Sequence, residues 1–467
     1  MVMAAHEARR GCRHAPIVPA VSAVPAPHAD PGNRAPDAIS WHVARWGDDP
    51  FSRGSWSYIR PGGSPADRWL LGEPIDDRFV LCGEAIGTDQ PAMTHGAFDS
   101  GERAAKWCLS AMRPGERVVV IGAGLAGIGA ARTLRDAGVD AVVLEGRNRI
   151  GGRVHTVQLP GRRGDPPAIA DAGAAWLQQF PRNPFADLAR SLGATLVPTD
   201  FHRPLAAAAH RPVGDVAAAS EQLRVAAGDA TNGHDDVSLG VVLAAMRGFD
   251  PVAMQHAVDA DIVLETGAAL DDTSARWFFA EDGVGNDDHI IGGGYQVILD
   301  HVAAGLDIKL DRSVTRVAWT ASGVTVASVG DDGLAETMFA DRCICTIPIS
   351  LLQRGEPVLS PGLPPKHRAA LARIGMGVVD KVVLRFATRW WPVPPHGYFR
   401  WYDAPANWCE WVDLTVVCGA PVVAGMIADD AVVRHHRGRT DAEIAAAATA
   451  ALYRWADSVG TTHGSAP

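Results

Sequence analysis

The clearest pattern of apolar and polar positions lies between residues 117 and 153. An apolar run over 118–121 leads into three spaced glycines, an Ala-rich stretch with helical periodicity follows, and a second apolar run ends at Glu145. Strand, helix and strand in this order predict a βαβ unit. Such a unit places two parallel strands in one sheet, with the helix across one face.

The first turn of this unit has the glycine spacing of a dinucleotide site. Gly122 permits a tight turn, Gly124 lets the backbone approach a pyrophosphate, and Gly127 lets helix and strand pack closely. The helix N-terminus then offers N–H groups and the positive end of the helix dipole. Glu145, about 20 residues further on, can accept the ribose hydroxyls. These features predict a dinucleotide whose adenosine ribose is not phosphorylated.

The next residues, LEGRNRIGGR, resemble the flavin-containing amine oxidases and depart from that family's pattern only at Gly146. In the family, the first arginine of this run, here Arg147, lies near the adenosine, and the turn at Gly152 and Arg153 wraps the flavin side. The resemblance implies an α/β fold: a Rossmann-like FAD-binding domain of the amine oxidase type, joined to an α+β substrate domain.

The family's parts appear here in a rotated order. RWGDDPFSRGSWSYIRPGG and the stretch around GEAIGTDQPAMTHGAFDSGERAA resemble segments that close the chain in this family, yet they open it here. Residues 381–457 resemble the part that normally precedes them. Because no part is duplicated or missing, we interpret the chain as a circular permutant rather than as a protein with a fused remnant.

The local pattern agrees with a permutation in which the new connection between the two segments costs little. Residues 79–82 predict a short strand, residues 94–112 a helix, and 113–116 a connector into the strand at 117–121. This is a second βαβ crossover, which predicts that the strands 79–82 and 117–121 lie parallel and side by side.

The chain is therefore divided into six segments. They are a disordered segment (1–40), the permuted segment that ends the substrate domain and adds the last FAD-binding strand and helix (41–113), the FAD-binding domain with the glycine motif (114–176), the helical part of the substrate domain (177–290), a return to the FAD-binding domain (291–360), and substrate-domain strands with a final helix (361–467).

The resemblance also implies further cofactor contacts. They are Gly83 and Glu84 at the pyrophosphate and ribityl chain, Gly173 and Ala174 beside the flavin ring, Val314 at the adenine, and Met93 and Thr94 at the flavin. Ser55 stands where monoamine oxidases carry the cysteine that bonds the flavin. We therefore expect a non-covalently held FAD.

The implied substrate pocket departs from the monoamine oxidases. Trp56 and Met93 stand where that subfamily has two facing tyrosines, and a methionine offers no aromatic face. Gln178 and Gln179 stand where many polyamine oxidases have His-Gly. An amide can hydrogen-bond an amine but cannot act as a base near neutral pH. These substitutions disfavour monoamine oxidase and leave polyamine oxidase as the nearer relative.

Lys381 is the predicted catalytic residue. The run GVVDKVVLRFATRWW alternates as a strand does, and a lone lysine in a strand is ordinarily a solvated edge residue. The resemblance reverses this interpretation, because the family motif K-x-x-x-x-F-x-x-x-x-W, here completed by Phe386 and Trp391, holds a lysine that binds a water beside the flavin. A buried lysine has a depressed pKa.

Composition narrows the setting. The chain has 467 residues, 47% of them hydrophobic, and a net charge of −10, which argues against nucleic acid as a partner. Seven scattered cysteines indicate neither a disulfide framework nor a zinc site, and they favour a reducing, cytoplasmic location. We find no apolar run long enough to predict a membrane span. The acids at 281, 282, 287 and 288 suit a solvated loop better than a channel mouth that attracts polyamines.

The resemblance implies an FAD-dependent amine oxidase. Hydride would pass from the α-carbon of a neutral amine to the flavin, the imine would be hydrolysed, and O2 would be reduced to hydrogen peroxide. We expect a polyamine as the small-molecule substrate. Two alternatives stay open: an oxidase of L-amino acids or other amines, for which the sequence identifies no cation to bind a carboxylate, and a flavin-binding scaffold without turnover. A histone demethylase would carry a long helical insertion and an accessory domain, for which we expect no room.

Overall fold

The computed structural model describes most of the chain. The described residues are 36–87, 90–180, 182–208, 214–280, 288–402 and 408–463. Their strands are β1 (Ser40–Ala44), β2 (Ser57–Ile59), β3 (Phe79–Leu81), β4 (Val118–Ile121), β5 (Ala141–Leu144), β6 (Thr156–Leu159), β7 (Ala168–Asp171), β8 (Trp176–Leu177), β9 (Leu196–Thr199), β10 (Leu205–Ala208), β11 (Asp288–Ile291), β12 (Asp307–Lys309), β13 (Arg312–Thr320), β14 (Gly323–Gly330), β15 (Ala335–Ala340), β16 (Arg342–Cys345), β17 (Val358–Ser360), β18 (Ile374–Met376), β19 (Val379–Arg385), β20 (Tyr398–Tyr402), β21 (Glu410–Asp413) and β22 (Val422–Ala428). Their α-helices are α1 (Pro65–Leu71), α2 (Thr94–Ala111), α3 (Leu125–Asp136), α4 (Pro184–Ser191), α5 (Val216–Thr231), α6 (Leu239–Ala245), α7 (Pro251–Ala257), α8 (Leu264–Thr266), α9 (Gln296–Ala303), α10 (Ile349–Gln353), α11 (Pro365–Arg373), α12 (Thr415–Cys418), α13 (Asp430–His436) and α14 (Asp441–His463).

A five-stranded parallel sheet contains the predicted βαβ unit. Its strand order is β12-β5-β4-β16-β3, and β4, α3 and β5 form the unit as the sequence predicts. The run over β4 is buried on both faces, which is typical of a parallel strand between two layers. Val118 and Val120 pack with the helices α2 and α3, whereas Val119 and Ile121 pack with the four-stranded sheet β15-β14-β13-β17.

A six-stranded sheet in the order β1-β19-β22-β21-β20-β10 forms the second large sheet. Val382 and Leu384 of β19 pack towards α14, and Val379 and Val383 pack on the opposite face. The alternation predicted for this strand is therefore confirmed. Lys381 shares the face of Val379 and Val383, because side chains two residues apart point the same way.

Residues 41–113 contribute to three sheets. β1 lies antiparallel to β19, with Ala44 opposite Lys381, while β2 pairs with β18 and β3 joins the five-stranded sheet. The predicted strand at 79–82 and helix at 94–112 are confirmed as β3 and α2. The opening segment is therefore integral to both large sheets.

One predicted neighbour relation is wrong. β3 and β4 run parallel in the same sheet but do not lie side by side, because β16 pairs with both of them. The apolar pattern identifies a fully buried strand, and β16 is buried throughout. The pattern does not encode which buried strand is central. Helix α2, with 18 residues, provides a crossover that passes over β16.

The structure adds strands to two of the predicted segments, the one predicted to be disordered (1–40) and the helical part of the substrate domain (177–290). Residues 1–35 of the segment predicted to be disordered lie outside the described residues. At its end, however, Ile39 donates its N–H to the Arg385 carbonyl at 2.7 Å and Ser40 begins β1. The segment 177–290 contains the helices α4–α8 as expected. It also supplies β9 and β10, and β10 pairs with β20 at the edge of the six-stranded sheet.

Within the described residues the structure shows neither a disulfide nor a metal site. The six cysteines among these residues are free, and no group of three or more His, Cys, Asp or Glu among them is arranged as a metal site. Within the same ranges, no helix combines the length and hydrophobicity that a bilayer crossing requires.

Candidate active site

A large cavity of about 1130 Å³ is lined by residues of both large sheets. Ordinary small-ligand sites have roughly 300–1,000 Å³, so this cavity has room for a dinucleotide and a second small molecule. Of the residues predicted for the site, those that line the cavity are Trp56, Gly83, Glu84, Met93, Thr94, Gly122, Gly124, Glu145, Arg147, Gly152, Arg153, Gly173, Ala174, Gln178, Val314 and Lys381. Gly127 does not line it.

The three glycines of the β4–α3 turn differ in what a side chain would meet. At Gly124 an added Cβ would have only the Gly151 carbonyl oxygen near it, at 4.0 Å, so the bare backbone faces the cavity. At Gly127 it would overlap the Gly122 carbonyl, which makes Gly127 a packing residue between helix and strand. Gly122 has φ +97°, in the left-handed region. The role predicted for Gly127 is thus that of close packing, away from the cavity.

Glu145 is fixed at the end of β5. Its Oε2 accepts a hydrogen bond from the Ala123 N–H at 2.7 Å, and its Oε1 accepts one from the Arg147 N–H at 2.9 Å. Its side chain is buried but lines the cavity. A carboxylate held in this way beside a helix N-terminus suits a ribose hydroxyl as ligand.

Arg147 is held by the opening segment. Its Nη2 donates to Asp49 Oδ1 at 2.6 Å and to Ser52 Oγ at 2.8 Å, and its guanidinium lies over the Phe51 ring at 5.2 Å. An added Cβ at Gly146 would lie 2.5 Å from the same ring. At Gly146, the one departure of this run from the family pattern, Phe51 thus occupies the space that a side chain would need.

Glu84 and Arg153 form a partly buried ion pair in the cavity wall. Arg153 Nη1 donates to Glu84 Oε1 at 2.8 Å, and the Ser57 hydroxyl donates to Glu84 Oε2 at 2.7 Å. Burial works to raise the pKa of Glu84, but the charge of Arg153 and these hydrogen bonds hold it below its ordinary value. Val314 lies at a β-bulge in β13, where its backbone leaves the regular ladder. The Glu84–Arg153 pair and the backbone of Val314 at the bulge both suit contacts to a polar cofactor.

These residues fit FAD. The bare backbone at Gly124 and the first turn of the 12-residue helix α3 suit a pyrophosphate, and Glu145 suits the ribose. No cysteine is among the described residues that line the cavity. Ser55, where a bonding cysteine was considered, donates its hydroxyl to the Val379 carbonyl at 2.8 Å. The wall thus offers FAD non-covalent contacts.

Lys381 is buried in the cavity wall, 7% exposed. Its Nζ donates to the Gly173 carbonyl at 2.6 Å and to the Asp171 carbonyl at 3.3 Å, and it lies 5.1 Å from the centre of the Trp176 ring. Burial lowers the pKa of Lys381 to about 8, against an opposing effect of the Asp171 carboxylate. The depressed pKa expected of a buried lysine is confirmed in direction.

The family of the chain follows from its match to a family model. The model described as flavin containing amine oxidoreductase matches residues 21–109 and 125–463. The chain belongs to this family. Its cofactor is accordingly a flavin, and the residues of the cavity wall fit FAD held without a covalent bond. The rotated order of the family's parts stays a prediction.

Curated relatives of this amine oxidoreductase carry two kinds of name. Lysine-specific histone demethylase 1 homolog 1 of Arabidopsis thaliana is 30% identical over 344 residues, which is 68% of this chain and 40% of that protein. Polyamine oxidase 4 of Oryza sativa subsp. japonica is 29% identical over 306 residues, 59% of this chain and 60% of that protein. The chain therefore spans about half the length of these relatives.

Among solved structures, putrescine oxidase bound to putrescine has the same fold as this amine oxidoreductase. The TM-score is 0.56 at 20% sequence identity, and the match covers 74% of this chain and 82% of that chain. At this identity the likeness concerns the fold.

The aromatic residues of the amine oxidoreductase site include a pair that the sequence analysis missed. Trp176 and Tyr398 stack with ring centres 6.0 Å apart and planes 11° apart, next to Lys381. Tyr398 lies on β20, whose sequence YFRWY places Tyr398, Arg400 and Tyr402 on one face, and all three line the cavity. That period of two groups the three residues on one face, but the strand is buried on both faces, so the pattern does not mark which face meets the cavity. Trp56 donates its indole N–H to the Glu265 carbonyl at 2.7 Å.

Carboxylates outnumber cations where the cavity of the amine oxidoreductase reaches the second large sheet and the helices around it. We call the set Glu221, Asp261, Glu265, Asp288 and Glu410 the acidic wall. The arginines on this side are Arg224 and Arg400. Arg400 is buried and donates to Asp261 Oδ1 at 2.7 Å and to Glu410 Oε2 at 3.1 Å.

The acids predicted at 281, 282 and 287 lie outside the described residues. For Asp288, the fourth of these acids, the prediction of a solvated loop is wrong. Its side chain is 5% exposed, it lines the cavity, and its Oδ1 accepts a hydrogen bond from the Gln179 N–H at 3.2 Å. Asp288 begins β11, and pairing with β9 draws it inside.

Proposed function

We propose that this protein is an FAD-dependent amine oxidase whose substrate is a polyamine. The observation that carries the proposal is one cavity that joins the dinucleotide turn, the buried amine of Lys381 and the acidic wall. FAD, when bound, supplies the hydride acceptor for oxidation of a C–N bond and passes the electrons to O2, giving hydrogen peroxide.

The residues of the chain contribute orientation, water exclusion and proton handling. Trp176 covers one side of Lys381 with apolar ring surface, and Tyr398 stacks on Trp176, an arrangement that helps to keep bulk water from the amine. With a pKa near 8, Lys381 exchanges a proton near neutral pH more readily than an ordinary lysine. It therefore suits the holding of a water molecule and the transfer of a proton beside the cofactor.

The acidic wall favours a substrate with more than one positive charge. Five carboxylates against two arginines and Lys381 leave this side of the cavity with a negative field, which attracts a second ammonium group. An L-amino acid is less suitable, because Arg400, the buried cation that could bind its carboxylate, is already held between Asp261 and Glu410. The name polyamine oxidase among the relatives points in the same direction.

A methylated lysine side chain is the second candidate substrate. The observation in its favour is the 30% identity to a protein named as a lysine-specific histone demethylase. A peptide also carries cations, so the acidic wall alone does not separate the two substrates.

The test is anaerobic mixing of the FAD-loaded protein with spermine, spermidine, N-acetylated polyamines, monoamines, L-amino acids and a dimethyl-lysine peptide, with the oxidised-flavin absorbance followed in time. We expect bleaching by the polyamines and peroxide on admitting O2. Bleaching by the peptide or the amino acids alone would replace the substrate class. A yellow protein that none of them bleaches would establish a scaffold without turnover.

Lys381→Met gives the matched test of the catalytic residue. The variant keeps the length and the apolar stem of the side chain and loses the amine. We expect it to bind FAD normally and to lower turnover on the bleaching amine by about 10²-fold or more. Turnover equal to wild type would remove Lys381 from the chemistry while leaving the cofactor site intact.

A further inference from the structure

The turn at residues 171–173 presents three successive carbonyl oxygens to two different side chains. Lys381 Nζ donates to the Asp171 and Gly173 carbonyls, at 3.3 and 2.6 Å. The carbonyl between them, of Ala172, accepts the indole N–H of Trp46 at 3.3 Å. Trp46 is 7% exposed and packs with Ala44 and Ala172. The position of the lysine amine is thus set by a turn that Trp46 also holds.

Trp46 is itself tied to the strand that carries Lys381. Its backbone N–H donates to Asp380 Oδ1 at 2.8 Å, and the other oxygen of Asp380 binds His436 Nδ1 at 2.7 Å. Asp380 and His436 are each 2% exposed, and Asp380 directly precedes Lys381 on β19. Trp46 therefore connects β19 to the turn through its backbone at one end and its indole at the other.

The side chain of Asp171 holds the turn from the opposite side. Its carboxylate accepts hydrogen bonds from the Tyr295 N–H at 3.1 Å and from the Thr156 hydroxyl at 2.5 Å. With Trp46 on one side and these two donors on the other, the carbonyls of residues 171 and 173 have little freedom. Such a preorganised acceptor pair directs an amine more sharply than a mobile one.

The two hydrogen bonds of Lys381 occupy two of the four positions around its tetrahedral nitrogen. In the neutral amine, both N–H bonds are used by the Asp171 and Gly173 carbonyls, and the fourth position carries the lone pair. In the ammonium form, that same position carries the third proton. A fixed turn therefore leaves one position of Nζ for proton exchange in the site.

We propose that Trp46 is a positioning residue for Lys381: by holding the Ala172 carbonyl, it fixes the turn that aims the lysine amine. The proposal rests on the proposed function, in which Lys381 handles a proton. It assigns a role to the opening segment in the chemistry itself, in addition to its place in the two large sheets.

The groups around Lys381 leave Asp171 as the charged neighbour that matters for its pH behaviour. The residues opposite Lys381 on the adjoining strands, Ala44 on β1 and Met426 on β22, are uncharged. Asp171 faces it from β7 and raises its pKa, against burial. Cys418 and Tyr398 are protonated near neutral pH, because burial raises both of their pKa values. Loosening the turn admits water and moves the pKa of Lys381 upward, towards its ordinary value.

The test replaces Trp46 by benzothienylalanine, in which sulfur stands in for the indole N–H, and by phenylalanine. Trp319→Phe is the matched control, since Trp319 is also buried and donates its indole N–H to Asp76 Oδ2 at 3.0 Å, outside the cavity wall. Each change is made in the wild-type and Lys381→Met backgrounds of the FAD-loaded enzyme. The readouts are kcat, KM and the pH profile of kcat with the amine that bleaches the flavin, together with unfolding free energy against pH.

We expect both Trp46 variants to lower kcat by about two- to tenfold, the range for loss of one hydrogen bond. KM stays within twofold, and the limb of the pH profile that disappears in Lys381→Met moves to higher pH. In the Lys381→Met background the Trp46 changes have no further effect on kcat, and Trp319→Phe moves no limb in either background. Equal losses in both backgrounds with an unmoved limb would overturn the proposal and leave Trp46 a packing residue.

The failure of the proposed function is distinguishable from this outcome. If Lys381→Met keeps full turnover, the chemistry does not use Lys381. The unfolding data then decide between positioning and packing, because a Trp46 that positions Lys381 changes the pH dependence of stability only where the lysine is present.

Discussion

Lys381 has a pKa near 8 because its charged form loses water on burial and gains only two carbonyls and a distant carboxylate in return. The same environment that lowers the pKa of the amine also costs stability at neutral pH. In the unfolded chain the lysine recovers an ordinary pKa near 10.5. Between these two pH values the unfolded state binds more protons than the folded state, so the lysine contributes a stability that rises with pH.

This linkage gives a prediction at the residue scale. The difference in unfolding free energy between wild type and Lys381→Met should rise in favour of wild type between about pH 8 and about pH 10.5, by about 3 kcal/mol in total. Urea titrations at a series of pH values measure it. The control is Lys106→Met, which replaces a side chain that is 65% exposed and keeps the buried amine of Lys381. A flat difference for Lys381→Met would contradict the depressed pKa.

Gly146 gives a second prediction at this scale. An alanine there would bring Cβ to 2.5 Å from the Phe51 ring, in a partly buried contact that has no space for it. We expect Gly146→Ala to destabilise the protein by about 1–3 kcal/mol. Thermal melts with and without FAD measure the effect. Phe51→Leu should restore most of the loss in the double variant, and a loss that is equal in both backgrounds would refute the steric explanation.

At the scale of elements, α2 and α3 pack closely against each other beside the dinucleotide turn. Gly101 of α2 lies against α3 so closely that an added Cβ would overlap the Ala126 carbonyl. Ala126 belongs to the first turn of α3, which lines the cavity. The opening segment therefore reaches the pyrophosphate end of the site through this helix contact.

Gly101→Ala should force the two helices apart. We expect a loss of about 1–3 kcal/mol in stability and a weaker affinity for FAD, measured by melting and by flavin fluorescence titration. The matched control is Gly228→Ala in α5, where an added Cβ meets nothing within 4 Å. That substitution should stabilise by about 0.5–1 kcal/mol, since alanine loses less backbone entropy than glycine. Equal effects at both glycines would contradict this account.

The elements themselves were predicted well because their signals are local. The βαβ unit, α2 and β19 each carry a periodicity that needs no partner to be recognised. The position of β16 between β3 and β4 was not predicted, since the order of strands in a sheet depends on contacts between distant parts of the chain. Tyr398 and Arg400 were missed for a related reason: their strand is buried on both faces, so nothing in the pattern marks the cavity side.

At the scale of the whole molecule, the two ends of the described chain lie on one core. Ala38, before β1, packs against the same cluster as Val459 near the end of α14. Just after the end of β1, Arg45 forms an ion pair at 2.7 Å with Asp441, the first residue of α14. Helix α14 therefore runs along β1 in the opposite direction. We therefore expect that a short linker can join residue 463 to residue 36.

A relinked chain tests the rotated order. We expect a protein that begins at residue 114, runs to 463, continues through about ten Gly/Ser residues and ends with 36–113 to fold and to bind FAD. A linker of this length has a mean span of roughly 16–19 Å. Flavin absorbance after gel filtration and the melting temperature measure the outcome. Aggregated or colourless protein would show that the order found here is required, and would weaken the interpretation as a permutant.

The sequence by itself determined the dinucleotide turn, because glycine spacing is a local consequence of backbone geometry, and its motifs carried the family resemblance that singles out Lys381. Only the tertiary structure decided what surrounds them. Three contacts join residues about 90 or more positions apart in the chain: Phe51 with Gly146, Trp46 with Ala172, and Asp288 with Gln179 inside the cavity. Such contacts depend on how the sheets pack, since burial and electrostatics act through space and leave no periodic trace in the chain.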